Sequence, residues 1–206
     1  MADAPGTLFT IGHSTHPAER FVELLRRHGI TAVSDVRSAP YSRMNPQYNR
    51  EPLKELLVRS GIAYVFLGEE LGARSSDPAC YEGGKVQYDR LAQTALFRRG
   101  IERVLEGSKR FTIALMCAEK EPLSCHRTIL VARHLRAAGA PVEHILADGR
   151  TETHEQALSR LADLLGVPGE DMFRTRADVF EDAYRAQGQR IAYEKKAEYK
   201  ESREKG

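Results

Sequence analysis

The sequence predicts an α/β protein: an open, mainly parallel five-stranded sheet with helices on both faces, plus a C-terminal helical extension. Two observations carry this. Short apolar runs alternate with longer segments whose apolar residues recur at the helical period, and three of those segments stop at a glycine. At 41% hydrophobic and 29% charged residues, the 206-residue chain also has the composition of a folded globular protein rather than a disordered one.

The first strand is expected over 7–11, ending at Gly12-His13-Ser14. Thr15 then offers a cap and Pro17 an early position for a helix to His28, with Phe21, Leu24, Leu25 and His28 on its apolar stripe. A second strand is expected over 30–36, and Pro52 opens a helix that Gly61 closes. A third strand is read over 62–67 and a fourth over 111–116. A helix from about Ser124 to Ala138, a fifth strand over 142–146 and a helix over 152–165 complete the alternation. Two segments fall outside it. Residues 68–85 hold four glycines and are too long for an ordinary connection, which suggests a lid or a partly mobile loop. The helix after it, about 86–106, is expected to be interrupted near Gly100. By length the chain reads as one α/β domain over 1–167 with a charged, largely helical extension over 168–206.

Composition excludes several classes. No run of about eighteen apolar residues exists, so no transmembrane helix and no membrane partner are expected. The start carries neither a basic region nor an apolar stretch, so no secretory signal is read and a cytoplasmic location is the expectation. Cys80, Cys117 and Cys125 cannot all pair within one chain and read as reduced thiols. The net charge of +2 is too small to indicate nucleic-acid binding, although residues 185–206 alone sum to +3.

In an open parallel sheet, ligands bind outside the carboxyl ends of the strands. The predicted strands end in Gly12-His13-Ser14, Asp35-Val36-Arg37-Ser38, Gly68-Glu69-Glu70 and Cys117-Ala118-Glu119, and the helix after the fourth begins Ser124-Cys125-His126-Arg127. Cys, His, Arg and Asp are thereby gathered along one rim. Cys125 is the sharpest candidate, because exposed N–H groups at a helix start favour a thiolate and His126 and Arg127 adjoin it. A buried, inert thiol is the alternative for Cys125 and Cys117 alike, and His13 could equally be structural. Arg37, Arg43 and Arg50, interleaved with Tyr41 and Tyr48, suit phosphate or nucleotide ligands, or else form an irregular loop of surface ion pairs.

Specific motifs are absent. There is no glycine-rich dinucleotide fingerprint, no Walker loop, no Gly-x-Ser-x-Gly elbow and no familiar zinc spacing. Leu123 and Val131 stand where a protein-tyrosine-phosphatase arrangement would need arginine.

Thr10-Ile11-Gly12-His13-Ser14, Asp35-Val36-Arg37-Ser38 with Pro40 and Ser42-Arg43, and Leu115-Met116-Cys117-Ala118-Glu119 followed by Cys125-His126-Arg127 resemble the bacterial domain of unknown function 488 family. The likeness extends over nearly the whole chain, through Tyr64–Gly72 to Ala183-Tyr184 and Gly188–Tyr193. It implies a compact bacterial α/β protein and points to the same rim residues, but it brings no reaction with it.

Three functions follow as expectations. The first is a small enzyme acting on a phosphate-bearing ligand, nucleotide-like or in nucleic acid. Cys125, His126, His13 and Asp35 would be its catalytic groups, and Ser14, Arg37, Ser38, Arg43, Cys117, Glu119 and Arg127 its ligand-binding groups. The second is an iron or zinc site on Cys117, Cys125 and His126 or His13. The third is a nucleic-acid-binding module built on the 37–50 loop and the basic C-terminal region.

Overall fold

A computed structural model describes residues 6–195. The start that was read for a leader, and the last eleven residues of the basic C-terminal region, lie outside the described residues.

Six strands form the main sheet, in the order β3-β2-β6-β1-β7-β8. β1 (Leu8–Gly12) lies between β6 (Ile113–Cys117) and β7 (Val142–Ile145). β2 (Ala32–Asp35) and β3 (Ala63–Phe66) continue past β6, and all these pairings are parallel. The sixth strand, β8 (Thr151–Thr153), corrects the expected five. It pairs antiparallel with β7, so the hairpin between them needs only the 146–150 turn. The helix expected from residue 152 therefore begins later, as α7 (His154–Leu165), with Thr153 as its cap and Gln156 closing a reciprocal capping box.

Alternation along the strands divides the core. Ile11, Val33, Ala114, Met116 and Ile145 face α1 (Ala18–Arg27) and α2 (Arg50–Arg59), meeting Phe21, Leu24, Leu53 and Leu57. Leu8, Ile113, Leu115, Cys117 and Val142 belong to the cluster that contains Phe97, Ile101, Val104, Leu130 and Leu135. Cys117, the last residue of β6, thus ends on the second face. Here the expected helix over 86–106 is two helices, α4 (Tyr88–Ala92) and α5 (Ala95–Ser108). The break comes at Gln93-Thr94, where the Thr94 hydroxyl caps Phe97 N–H, and not at Gly100. Gly100 lies inside α5, and a Cβ there would come within 2.8 Å of Leu71 and Glu70 side-chain atoms of α3 (Gly68–Leu71), so its role is close helix packing.

The segment expected as a helix over 124–138 is composite. A 3-10 turn over Pro122–Ser124 is followed by Cys125 in an extended conformation, a π-helix over Arg127–Ala132 and α6 (Arg133–Ala137). The long 68–85 stretch contains α3 and a hairpin, β4 (Tyr81–Glu82) with β5 (Lys85–Val86). Backbone bonds from Val86 N to Tyr193 O and from Lys195 N to Gly84 O, both 2.9 Å, tie that hairpin to the segment after α8 (Arg176–Ile191). Helix α8 packs Val179, Ala183 and Tyr184 against Leu158, Leu161 and Ala162 of α7. Among the described residues, no helix is long and apolar enough to cross a membrane.

Candidate functional site

The carboxyl ends of β1, β2 and β6 hold two adjoining clusters. Gly12 makes the first approach possible: a Cβ there would sit 1.9 Å from the Glu119 carbonyl oxygen. With that gap open, His13 N–H and Ser14 N–H bond to the carbonyls of Cys117 (2.9 Å) and Ala118 (3.0 Å), fastening the two strand exits together.

In the first cluster Arg37 grips Asp35 through two bonds, Nε to Oδ1 at 2.9 Å and Nη2 to Oδ2 at 2.6 Å. Tyr64 donates its hydroxyl to the same carboxylate at 2.8 Å. His13 must donate from Nδ1 to the Ser14 carbonyl at 2.8 Å, because a carbonyl only accepts; Nε2 is then free to accept from Arg37 Nη1 at 3.3 Å. The positive φ of Ser14, 49°, turns that carbonyl back onto the ring. Tyr48 stacks on His13 with centroids 4.1 Å apart. Burial, with the Arg37 charge, lowers the His13 pKa to about 4, so the ring is neutral at pH 7.

The second cluster is sulfur-rich. Cys117 Sγ and Cys125 Sγ lie 3.7 and 3.8 Å from Nδ1 of His126, and the three ligand atoms are all within 4.8 Å of one another. The other ring nitrogen of His126 faces the Val36 carbonyl at 3.0 Å and must donate to it. That bond turns Nδ1 toward the sulfurs; burial opposes charge on the ring, but the hydrogen bond and charge of Cys125 raise its pKa. Glu119 Oε2 is 2.9 Å from Cys125 Sγ, and Arg127 N–H points at the same sulfur from 3.4 Å. Burial opposes charge on Cys125, yet the hydrogen bond from Cys117, the Arg127 guanidinium and His126 together hold its thiol well below the usual range. The hydrogen bond to Cys125, together with burial, pushes the Cys117 thiol up. Burial and the charge of Cys125 push up the Glu119 carboxyl.

Arg127 is wholly buried and forms no ion pair with any described carboxylate. Its Nη1 and Nη2 donate to the carbonyls of Glu119 (2.7 Å) and Lys120 (3.4 Å), and its Nε has no partner. The π-helix that starts at this residue is a rare element found frequently at functional sites.

The structure therefore brings together Cys117, Cys125, His126, Glu119 and Arg127, and separately His13, Asp35 and Arg37. Two of the three arginines expected to hold phosphate, Arg37 and Arg127, are committed to internal partners. Ser38 accepts from Arg74 N–H at 3.0 Å, and Ser14 serves through its backbone. Arg43 stands exposed on a loop with Tyr41 and Met44, away from both clusters' hydrogen bonds. Sequence reasoning missed Tyr64 and the Val36 carbonyl, which reach the site only through the fold, and it read Tyr48 with a ligand-binding loop where the ring stacks on His13. It also missed Tyr88, whose phenol pKa is raised by burial and by the charges of Cys125 and Glu119.

Fold and site define a class: an α/β protein with a mainly parallel sheet and a buried Cys-Cys-His cluster where its central strands end. The chain belongs to the family described as Domain of unknown function DUF488, whose model matches residues 17–134. That match takes in Asp35, Arg37, Cys117, Cys125, His126 and Arg127, but neither the Gly12-His13-Ser14 turn nor α8. No curated protein and no solved structure matches the chain.

Proposed function

We propose that the protein is a metalloprotein in which Cys117, Cys125 and His126 bind one zinc or ferrous ion. One observation carries this reading: the spacing and orientation of His126 against the two sulfurs. Around a tetrahedral ion, bonds of about 2.3 Å to sulfur and about 2.0–2.1 Å to nitrogen leave S and N about 3.6 Å apart. The two S···N separations are 3.7 and 3.8 Å. A ligating histidine characteristically donates its other N–H to a carboxylate, a carbonyl or water, and His126 donates to Val36. Thiolate and imidazole donors select soft or borderline metals over magnesium or calcium. Three protein ligands would leave a fourth position, as in catalytic zinc sites. Two thiolates on a divalent ion form a neutral unit.

Titration of the metal-free protein with cobalt(II) tests this. A thiolate-to-cobalt charge-transfer band saturating at one equivalent, lost in Cys125→Ser, is the expected result. A folded protein that develops no such band contradicts it.

The Cys125–Glu119 contact of 2.9 Å favours a second reading, an enzyme with Cys125 as nucleophile and Glu119 as the base that takes its proton. It requires fast alkylation of Cys125 in metal-free protein that slows markedly in Glu119→Gln.

A further inference from the structure

The loops leaving three adjacent strands, β6, β1 and β7, border an open cavity of about 850 Å³ at the carboxyl edge of the sheet. Its lining includes His16, Lys120, Arg150, Glu152, Gln156 and Arg160. Small-molecule sites run to about 300–1,000 Å³ and favour this edge of a parallel sheet.

Most of the lining charges are already paired. Arg160 is held by Glu152 at 2.7 Å and by Glu121 at 3.0 Å, and Arg150 by Asp148 at 2.7 Å. Two groups are not. Lys120 makes no ion pair and no side-chain hydrogen bond with any described residue. Nε2 of His16 is shielded from solvent and has no hydrogen-bond partner. The backbone of His16 is fixed, because its carbonyl accepts the Tyr48 hydroxyl at 2.9 Å, while no hydrogen bond to a described residue holds its ring. The cavity thus offers one free ammonium, and a turn of the His16 ring at its wall would present an unused nitrogen to a ligand; a buried polar atom without a partner is a feature that a ligand would satisfy.

We propose that this cavity binds the phosphate of a small phosphomonoester, with Lys120 supplying the charge and His16 a ring N–H. Lysine binds phosphate as a point charge, and the remaining volume accommodates the rest of a small molecule. Burial, then the charges of Arg20 and Lys120, lower the pKa of His16 and keep the ring neutral, so it acts as a dipolar donor and not as a second cation. Lys120 is also next in the chain to Glu119, and Arg127 holds both of their carbonyls. A ligand on Lys120 therefore sits one residue from the carboxylate that touches Cys125. Phosphate binding stands on the cavity alone; that the bound molecule is a substrate rests on the metal centre proposed above.

Calorimetric titration of metal-free protein tests the site, with inorganic phosphate, phenyl phosphate and acetate as probes at ionic strength matched with sodium chloride. Phenyl phosphate should bind more tightly than inorganic phosphate, and acetate not measurably. Lys120→Ala should weaken phosphate at least tenfold and His16→Gln severalfold, while Arg43→Ala changes nothing. Lys120→Gln replaces Lys120→Ala should that variant not fold. Equal binding of acetate, or full phosphate affinity in folded Lys120 and His16 variants, overturns the assignment. Cys125→Ser separates the two proposals: it should abolish cobalt binding and leave phosphate binding intact. Phosphate binding without cobalt binding in the wild type removes the metal centre alone, and the converse removes this site alone.

Discussion

His126 donates its Nε2–H to the carbonyl oxygen of Val36 at 3.0 Å, and this bond between the end of β2 and the start of the π-helix aims Nδ1 at two sulfurs. The residues involved are 90 positions apart, so the orientation of the ligand belongs to the fold and not to the local Cys-His-Arg sequence. A preoriented ligand set loses little freedom on binding, which is the physical basis for expecting tight association.

Glu119 supports that set from outside. Its carboxylate touches Cys125 and its carbonyl is held by Arg127. Outer groups of this kind are worth about 10–100-fold in metal affinity. Glu119→Gln should weaken cobalt binding within that range, measured by competition with a chromophoric chelator. Unchanged affinity would remove Glu119 from the centre.

The Asp35–Arg37 pair is a structural requirement. Asp35 is fully buried and Arg37 is 6% exposed, and the carboxylate also receives Tyr64. Asp35→Ala leaves a buried guanidinium without its partner, a change that costs about 3–5 kcal/mol. Urea denaturation should show a loss of that size, and a loss below about 1 kcal/mol would contradict the pairing.

Acid should destabilise the protein early. Burial lowers the pKa of His13 and His154 to about 4 and that of His144 well below its usual value. His144 and His154 join Thr10 to Tyr184 in a chain of hydrogen bonds at 2.7, 3.0 and 2.5 Å. A histidine with a folded pKa below its unfolded value of about 6.5 binds protons more readily in the unfolded chain. The stability it contributes is complete above about pH 6.5 and is lost as pH falls toward the folded value, at up to about 1.4 kcal/mol per pH unit for each group. Urea midpoints should fall steadily between pH 7 and 5, with a shallower slope in His154→Gln. A flat profile contradicts buried neutral histidines.

Gly12→Ala tests the joining of the two strand exits. The new Cβ would collide with the Glu119 carbonyl, displacing the loop that carries Glu119 and Lys120. Overpacking of this kind costs about 1–3 kcal/mol. The melting temperature should drop and cobalt affinity should fall with it. Full retention of both would show that the loop yields freely.

Much of the fold was legible because strands and helices announce themselves by period, and the rim followed from where the strands end. Cys117, Cys125 and His126 were readable as a group for that reason. β8 was harder, since three residues show no period, although Thr153 and Gln156 carry the spacing of a capping box that would have moved the helix start. The inward turn of Arg37 and Arg127 was not legible. Their partners are Asp35, two carbonyls and a histidine, and only the fold decides whether an arginine at a strand end faces solvent or the neighbouring loop. The His144–His154–Tyr184 chain was hidden for the same reason, because it joins β7, α7 and α8 in space.

The proposed metal centre is tested most directly by elemental analysis of untagged protein purified without chelator, beside Cys125→Ala and His126→Ala. A zinc- or iron-binding centre predicts close to one metal ion per chain in the wild type and a sharp loss in both variants, with the circular dichroism of the variants showing a retained fold. Wild-type protein that is folded, metal-free as isolated and unable to take up zinc or ferrous iron when supplied would contradict it, leaving the Cys125–Glu119 pair to be read as thiol chemistry.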